Sequence, residues 1–189
     1  GEKVWTWNIF DHSIPDEEGF LIRDDWSHAN GIDIDFDGNY LISFRNFDQI
    51  WKVNSDNGDV IWRLGKNGDY NLENKEIFYQ QHAIHKIDSS HYMLFDNGSS
   101  EYRKTSRALI FSLDEKNKNF NYSKSVFLPD SLFTFKQGSV YSMDNNNYLF
   151  SSSVNNKTII SDETGKILWN LSSDHSFYRV YYIDKKKLF

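Results

Sequence analysis

Apolar and polar positions alternate along this chain in a pattern that returns four times. The stretches 28–35, 81–88, 137–144 and 177–184 align without gaps, and each closes on an apolar residue followed by aspartate. Alternation over about eight residues predicts a half-buried strand. A short polar turn follows each one, Asp37-Gly38-Asn39, Ser89-Ser90-His91, Asn145-Asn146-Asn147 and Lys185-Lys186-Lys187. A second apolar run then begins at Tyr40, Tyr92, Tyr148 and Leu188. Two further strands complete the unit where they are legible. Gln49–Val53 returns through Asp56-Asn57-Gly58 to Asp59–Leu64, and Lys157–Ser161 returns through Glu163-Thr164-Gly165 to Lys166–Trp169. Asn-Gly and Thr-Gly tips supply the positive φ that tight hairpins need.

Four-stranded antiparallel units at a period of roughly 40–55 residues are the signature of an all-β β-propeller. A meandering sandwich is the alternative. The expected division is a last strand of a preceding blade at 1–10, blades at 26–65, 80–128 and 136–171, and a partial blade at 176–189. Lys3–Trp7 reads as that leftover last strand. Three complete units do not close a ring of the usual four to eight blades, so the pattern predicts an arc cut at both ends. An arc exposes two blade faces, which predicts poor solubility or self-association as a homo-oligomer.

Composition narrows the chemistry. The chain has 189 residues, enough for one substantial core, with 21 basic against 27 acidic side chains and a formal net charge of −6. That balance argues against a broad nucleic-acid footprint, so cationic chemistry must be local. With no cysteine there is no disulfide and no thiolate metal site. No apolar run approaches the roughly 20 residues of a membrane span.

Register converts the repeats into a candidate site. In a propeller the first strand of each blade lines the central channel. The alignment sets His28, Gln81 and Gln137 at one level, Ala29, His82 and Gly138 at the next, and Asn30 with Ala83 and Ser139 after that. The second strand returns to the same mouth, where Arg45 matches Asn97. His28, Asn30, Arg45, His82 and Asn97 can therefore converge across two blades, provided that no one-residue slip reverses the side chains. His85, three positions from His82, takes the opposite parity. His12, His91 and His175 read as turn or surface residues, and Trp51, Trp62 and Trp169 as packing between blades. Asp33, Asp35 and Asp37 resemble a calcium loop only superficially, since they alternate along a strand and lack the later glutamate. Arg107 either reaches the channel or pairs with a blade carboxylate.

The residues Val4–Trp7, Asp25–Asn30, Ser43–Ile50, Gly58–Gly65, Gln81-His82, Phe95–Gly98 and Ser106–Ala108, in that order, resemble the bacterial arylsulfate sulfotransferases, six-bladed propellers that work without PAPS. The resemblance implies sulfuryl transfer from a phenolic sulfate ester to a phenol by a ping-pong route through a sulfated histidine, in the periplasm and without a nucleotide, cofactor or metal. It implies His82 as nucleophile and His28 and Arg45 as sulfate ligands, with Asn30 orienting them; Asn30, Asn97 from its register with Arg45, and Arg107 are the candidate substrate-binding residues. The chemistry is consistent with these residue types. A neutral imidazole is a competent nucleophile near pH 7, and a guanidinium fork suits a tetrahedral anion. The family's further active-site histidine, on an earlier blade, has no counterpart in this chain. Two other classes compete: a quinoprotein-dehydrogenase-like propeller, and a non-catalytic ligand-binding or scaffold propeller.

Overall fold

The computed structural model describes residues 1–13 and 25–183. Twelve strands form three antiparallel sheets of four, each meandering in sequence order. The first blade is β1 (Ala29–Ile34), β2 (Tyr40–Phe44), β3 (Gln49–Val53) and β4 (Val60–Gly65). The second is β5 (His82–Lys86), β6 (His91–Asp96), β7 (Arg107–Asp114) and β8 (Asn119–Phe127). The third is β9 (Ser139–Met143), β10 (Asn147–Ser152), β11 (Lys157–Ser161) and β12 (Ile167–Ser172). Together they make an all-β propeller arc that does not close. No helix among the described residues is long and apolar enough to cross a membrane.

Blades stack because alternation gives each sheet two apolar faces. Leu41, Ile50, Trp62 and Leu64 of the first blade meet Ile84, Tyr92, Leu94, Leu109 and Phe111 of the second in one buried cluster. Met93, Phe95 and Ile110, on the other face of the second blade, meet Val140, Phe150 and Ile159 of the third. Trp62 thus lies between blades, as expected. Trp51 is buried on the opposite face of the first blade beside Phe44 and Phe47. Trp169 is 46% exposed.

Two end segments differ from the expected pattern. Lys3–Trp7 forms no strand. Instead Trp5 and Trp7 cover the apolar face of the first blade, and the Trp7 indole donates to the Gly58 carbonyl at 2.8 Å. A strand needs a paired neighbour along its length, and this segment has aromatic contacts in its place. Residues 176–183 also form no strand. This segment meets the third blade at isolated points, Gly138 N–H donating to the Tyr178 carbonyl at 3.0 Å and Ser139 Oγ to that of Val180 at 3.0 Å. It reaches the first blade through Arg179, which donates to the Asn30 carbonyl at 3.2 Å. The expected turn at Lys185–Lys187 and strand at Leu188-Phe189 lie outside the described residues.

At the turn end of the inner strands, Lys52 is buried (2% exposed) among Asp35 at 2.9 Å, Asp37 at 2.7 Å and Glu115 at 2.8 Å. Asp35 also takes Lys86 at 2.8 Å and the Tyr92 hydroxyl at 2.8 Å. Asp35 and Asp37 thus hold an ammonium that spans the first two blades. Burial acts against the charge on Asp35, but the two lysines and Tyr92 outweigh it and bring its pKa down to about 2. Its contribution to stability is complete above the unfolded value of 3.8 and lost as the pH falls through about 2. Replacing Lys52 by Met strands these carboxylates, and a loss of about 3–5 kcal/mol in urea unfolding near pH 7 is expected. The gap from wild type should narrow toward about pH 3, where the stranded Asp35 takes up a proton. An unchanged gap would show that the carboxylates do not carry the effect.

Candidate active site

Each inner strand is approached through a residue whose backbone lies in the left-handed region: His28 (φ 48°), Gln80 (φ 51°) and Gln137 (φ 58°). Non-glycine residues adopt this region seldom, and such positions concentrate at functional sites. These three surround one mouth of the channel. There a cavity of about 460 Å³ is lined by Asp25, His28, Arg45, Asn46, His82, Phe135, Lys136, Gln137 and Tyr178. The expected catalytic trio, His28, Arg45 and His82, therefore shares one wall.

His82 is 1% exposed. Its Nδ1 lies 2.8 Å from Asn97 Oδ1 and 3.0 Å from the Gln80 carbonyl, while its Nε2 accepts the Gln137 N–H at 3.1 Å. Asn97 Nδ2 donates to the Thr134 and Gln137 carbonyls at 2.8 and 2.7 Å, which turns its oxygen toward His82. With acceptors on Nδ1, the proton belongs there and the Nε2 lone pair faces the cavity side. Burial lowers the His82 pKa to about 4, Arg45 and Arg179 adding to the effect and the bonds from Asn97 and Gln80 opposing it. The ring is neutral at ordinary pH. Gly138, next to the residue that caps Nε2, has no room for a side chain. A Cβ there would sit 2.5 Å from the Phe95 ring and 2.7 Å from the Ser151 carbonyl, at φ 91°.

Arg45 opens the 3-10 turn Arg45–Phe47 that ends β2. It donates to Asn46 Oδ1 at 2.9 Å, Gln80 Oε1 at 2.8 Å and the Phe135 carbonyl at 3.3 Å. All three partners are neutral, and among the described residues no carboxylate forms an ion pair with it. Burial lowers its pKa, with Asp48 and Asp25 opposing, yet an arginine remains charged. The result is a positive group held in place by neutral acceptors. His28 pairs through Nδ1 with Asp25, which leaves Nε2 as the ring position free of that pairing. Phe135 (42% exposed) and Tyr178 (44% exposed) supply aromatic wall, the Tyr178 ring standing edge-on to His82 at 6.0 Å.

Other expected site residues sit elsewhere. Asn97 is fully buried behind His82 and holds it, as described, and does not line the cavity. Asn30 donates to the Gln81 carbonyl at 2.8 Å, linking β1 to β5. Arg107 is 3% exposed and directed away from the mouth. It pairs with Asp96 at 2.8 Å and donates to the Lys75 and Ile77 carbonyls at 2.7 and 2.8 Å, so of its two expected placements the blade carboxylate is the one adopted. His85 does not take the opposite parity. The β5–β6 pairing slips between His82 and His85, and Ala83 there has φ 51°. This extra residue turns His85 to the same face as His82, where its ring packs on Tyr141 at 5.0 Å.

A model of the arylsulfotransferase (ASST) family matches residues 20–174. The chain belongs to the arylsulfotransferase family. No curated protein sequence matches this arylsulfotransferase-family chain. Among 18 solved chains that match is BamB from Moraxella catarrhalis, at 8% identity and a TM-score of 0.31, the likeness covering 80% of this chain and 66% of that one.

Beyond the trio, the cavity lining includes Phe135, Lys136, Gln137 and Tyr178. Gln137 and Tyr178 stand in the aligned inner-strand stretches, so their level was readable. Phe135 and Lys136 precede the repeat and carry no periodic signal. The neutral state of His82 is directly measurable. Its ring nitrogens in a 15N NMR titration should show the Nδ1–H tautomer from about pH 8 down to about pH 5. Asn97→Ala should broaden the tautomer distribution, and an Nε2–H ring in the wild type would contradict the assignment.

Proposed function

We propose that this cavity transfers a sulfuryl group from a phenolic sulfate ester to a phenol, with His82 as the nucleophile. One observation carries the reading: a buried neutral imidazole with a fixed tautomer shares a cavity with an arginine that has no carboxylate partner. The His82 Nε2 lone pair attacks sulfur, the S–O bond to the aryl oxygen breaks, and the phenolate leaves and takes up a proton. In the second half, an acceptor phenol gives up its proton and attacks sulfur, the S–N bond breaks, and His82 is restored. This is a ping-pong route through a sulfohistidine.

The surroundings suit both halves. When Nε2 bonds to sulfur, positive charge spreads over the ring, and the Nδ1–H bonds to Asn97 Oδ1 and the Gln80 carbonyl strengthen. Arg45 offers N–H donors to the sulfuryl oxygens, Lys136 adds a donor at the rim, and His28 donates from Nε2 only in its imidazolium form. Phe135 and Tyr178 provide ring faces for an aryl group. The Gln137 N–H must yield its place on Nε2 for sulfur to arrive. The low His82 pKa keeps the nucleophile unprotonated, at the cost of lower basicity. The family resemblance extends this reading to a periplasmic location and to sulfate transfer without a cofactor.

The test is release of 4-nitrophenol from 4-nitrophenyl sulfate by the full-length polypeptide, with phenol as acceptor. His82→Asn should reduce kcat by at least about 10³-fold, and Arg45→Ala should raise KM and lower kcat/KM by about 10²-fold. Mass spectrometry of protein quenched with donor alone should find the sulfuryl mass on the peptide containing His82. Retained turnover in His82→Asn would assign the nucleophile elsewhere.

A further inference from the structure

Gln80 touches both halves of the proposed machinery although it precedes the Gln-His pair. Its side-chain Oε1 accepts Arg45 Nη2 at 2.8 Å, and its carbonyl accepts His82 Nδ1 at 3.0 Å. Its own N–H donates to Asp48 Oδ1 at 2.6 Å. One residue thus holds the cation, the nucleophile's proton and a carboxylate, with its backbone at φ 51°. That conformation is unfavourable for a side-chain-bearing residue and persists where surrounding contacts determine it. Asp48, itself at φ 53°, closes the 3-10 turn that Arg45 opens.

We infer that Gln80 is a positioning residue for the sulfuryl-transfer site and that Asp48 is the clasp that holds it. The inference rests on the proposed reaction at His82. The Gln80 side chain aims the Arg45 fork, its carbonyl fixes the His82 tautomer, and the Asp48 bond keeps the peptide in the left-handed region that allows both at once.

Asp48 is suited to respond to pH. It lines a second cavity, of about 480 Å³, with Lys66, Tyr70, Phe78, Tyr79 and Tyr102. Burial raises its carboxyl to about 6, with Asp96 adding to the rise and the Gln80 N–H, Lys66 and Arg45 opposing it. The charged or titratable groups around it are therefore Arg45 on its own turn, Lys66 after β4, Asp96 on β6, and the Tyr70, Tyr79 and Tyr102 phenols in the cavity wall. Above about pH 6 the carboxylate makes a charge-assisted bond to Gln80. Below it the bond is between neutral groups and weaker, and Arg45 loses a nearby negative charge. His82 titrates lower, at about 4, so the two events separate.

The experiment uses two variants of the full-length polypeptide with 4-nitrophenyl sulfate. Gln80→Gly keeps the left-handed backbone and its bonds while deleting only the amide that holds Arg45. It should raise KM for the ester about tenfold with a smaller change in kcat. In wild type, kcat/KM should fall by a partial step near pH 6 before the full loss near pH 4. Asp48→Asn should abolish the upper step and hold activity at about pH 8 to the wild-type level of about pH 5. A Gln80→Gly enzyme with unchanged KM, or an upper step that survives in Asp48→Asn, would overturn the inference. The His82 ring signals in 15N NMR give a readout without turnover, and the Asp48→Asn spectrum should show a weaker Nδ1–H preference. Protein that transfers no sulfuryl group but shows that spectral change would refute the reaction and retain the positioning. Normal turnover with an unchanged spectrum would do the reverse.

Discussion

The geometry of the site depends on how the second blade is fixed against the first, and the Gln81 amide does much of that fixing. Gln81 is fully buried, and its Nε2 is shared among the Gln49 carbonyl at 2.8 Å, Ser43 Oγ at 3.0 Å and the Phe44 carbonyl at 3.2 Å. Its own carbonyl accepts from Asn30. These groups sit at the end of β2 and the start of β3, on either side of the turn that presents Arg45. A buried amide must meet its partners or bear the desolvation cost, so the blades are held to one alignment and not a range of them. Because His82 follows Gln81 directly, the same bonds that join the blades also set the distance from the His82 imidazole to the Arg45 guanidinium.

Two electrostatic solutions coexist at this mouth. His82 gains a usable lone pair by being buried, since the protonated form is what burial disfavours. Arg45 keeps its charge despite burial because arginine does not surrender its proton, and the neutral Asn46, Gln80 and Phe135 oxygens satisfy its donors without cancelling its field. Contrast Arg107, which is more deeply buried than the half-buried Arg45 and has a direct carboxylate partner in Asp96. The first arrangement leaves an attraction unspent for an anion; the second consumes it in packing. An acidic chain with a net charge of −6 can therefore present a local site for an anion.

Much of this was legible in the sequence. The repeats located the strands of the first and third blades and the first two of the second because alternation and turn residues are local properties, while β7 and β8 were not picked out; the aligned levels brought His28, Arg45 and His82 to one mouth. Three features escaped for different physical reasons. The bulge at Ala83 adds a residue without any compositional mark, since alanine is neither glycine nor proline, so the parity of His85 came out inverted. Arg107 and Asn97 lie at strand ends close to the channel, but which way they turn depends on Asp96 and on the Thr134–Gln137 loop, contacts set by the packed fold. Lys3–Trp7 has the composition of a strand, but strand formation needs a partner that composition does not provide.

The buried Lys52 cluster lies at the end of the inner strands opposite the His82 cavity, and its consequence is thermal. The desolvation penalty on buried ions falls as temperature rises, while apolar burial gains little more per unit area. Contacts such as Lys52 with Asp35, Asp37 and Glu115 therefore retain their worth on warming better than the aromatic interfaces alone would. The first two blades, which hold Arg45 and His82, are clamped by this cluster. Among the described residues no such buried cluster joins the second blade to the third, where the contacts are mainly apolar beside the exposed Lys124–Glu163 pair. On heating, the third blade and the Gln137 loop that caps His82 should loosen before the pair of blades that carries Arg45 and His82 comes apart.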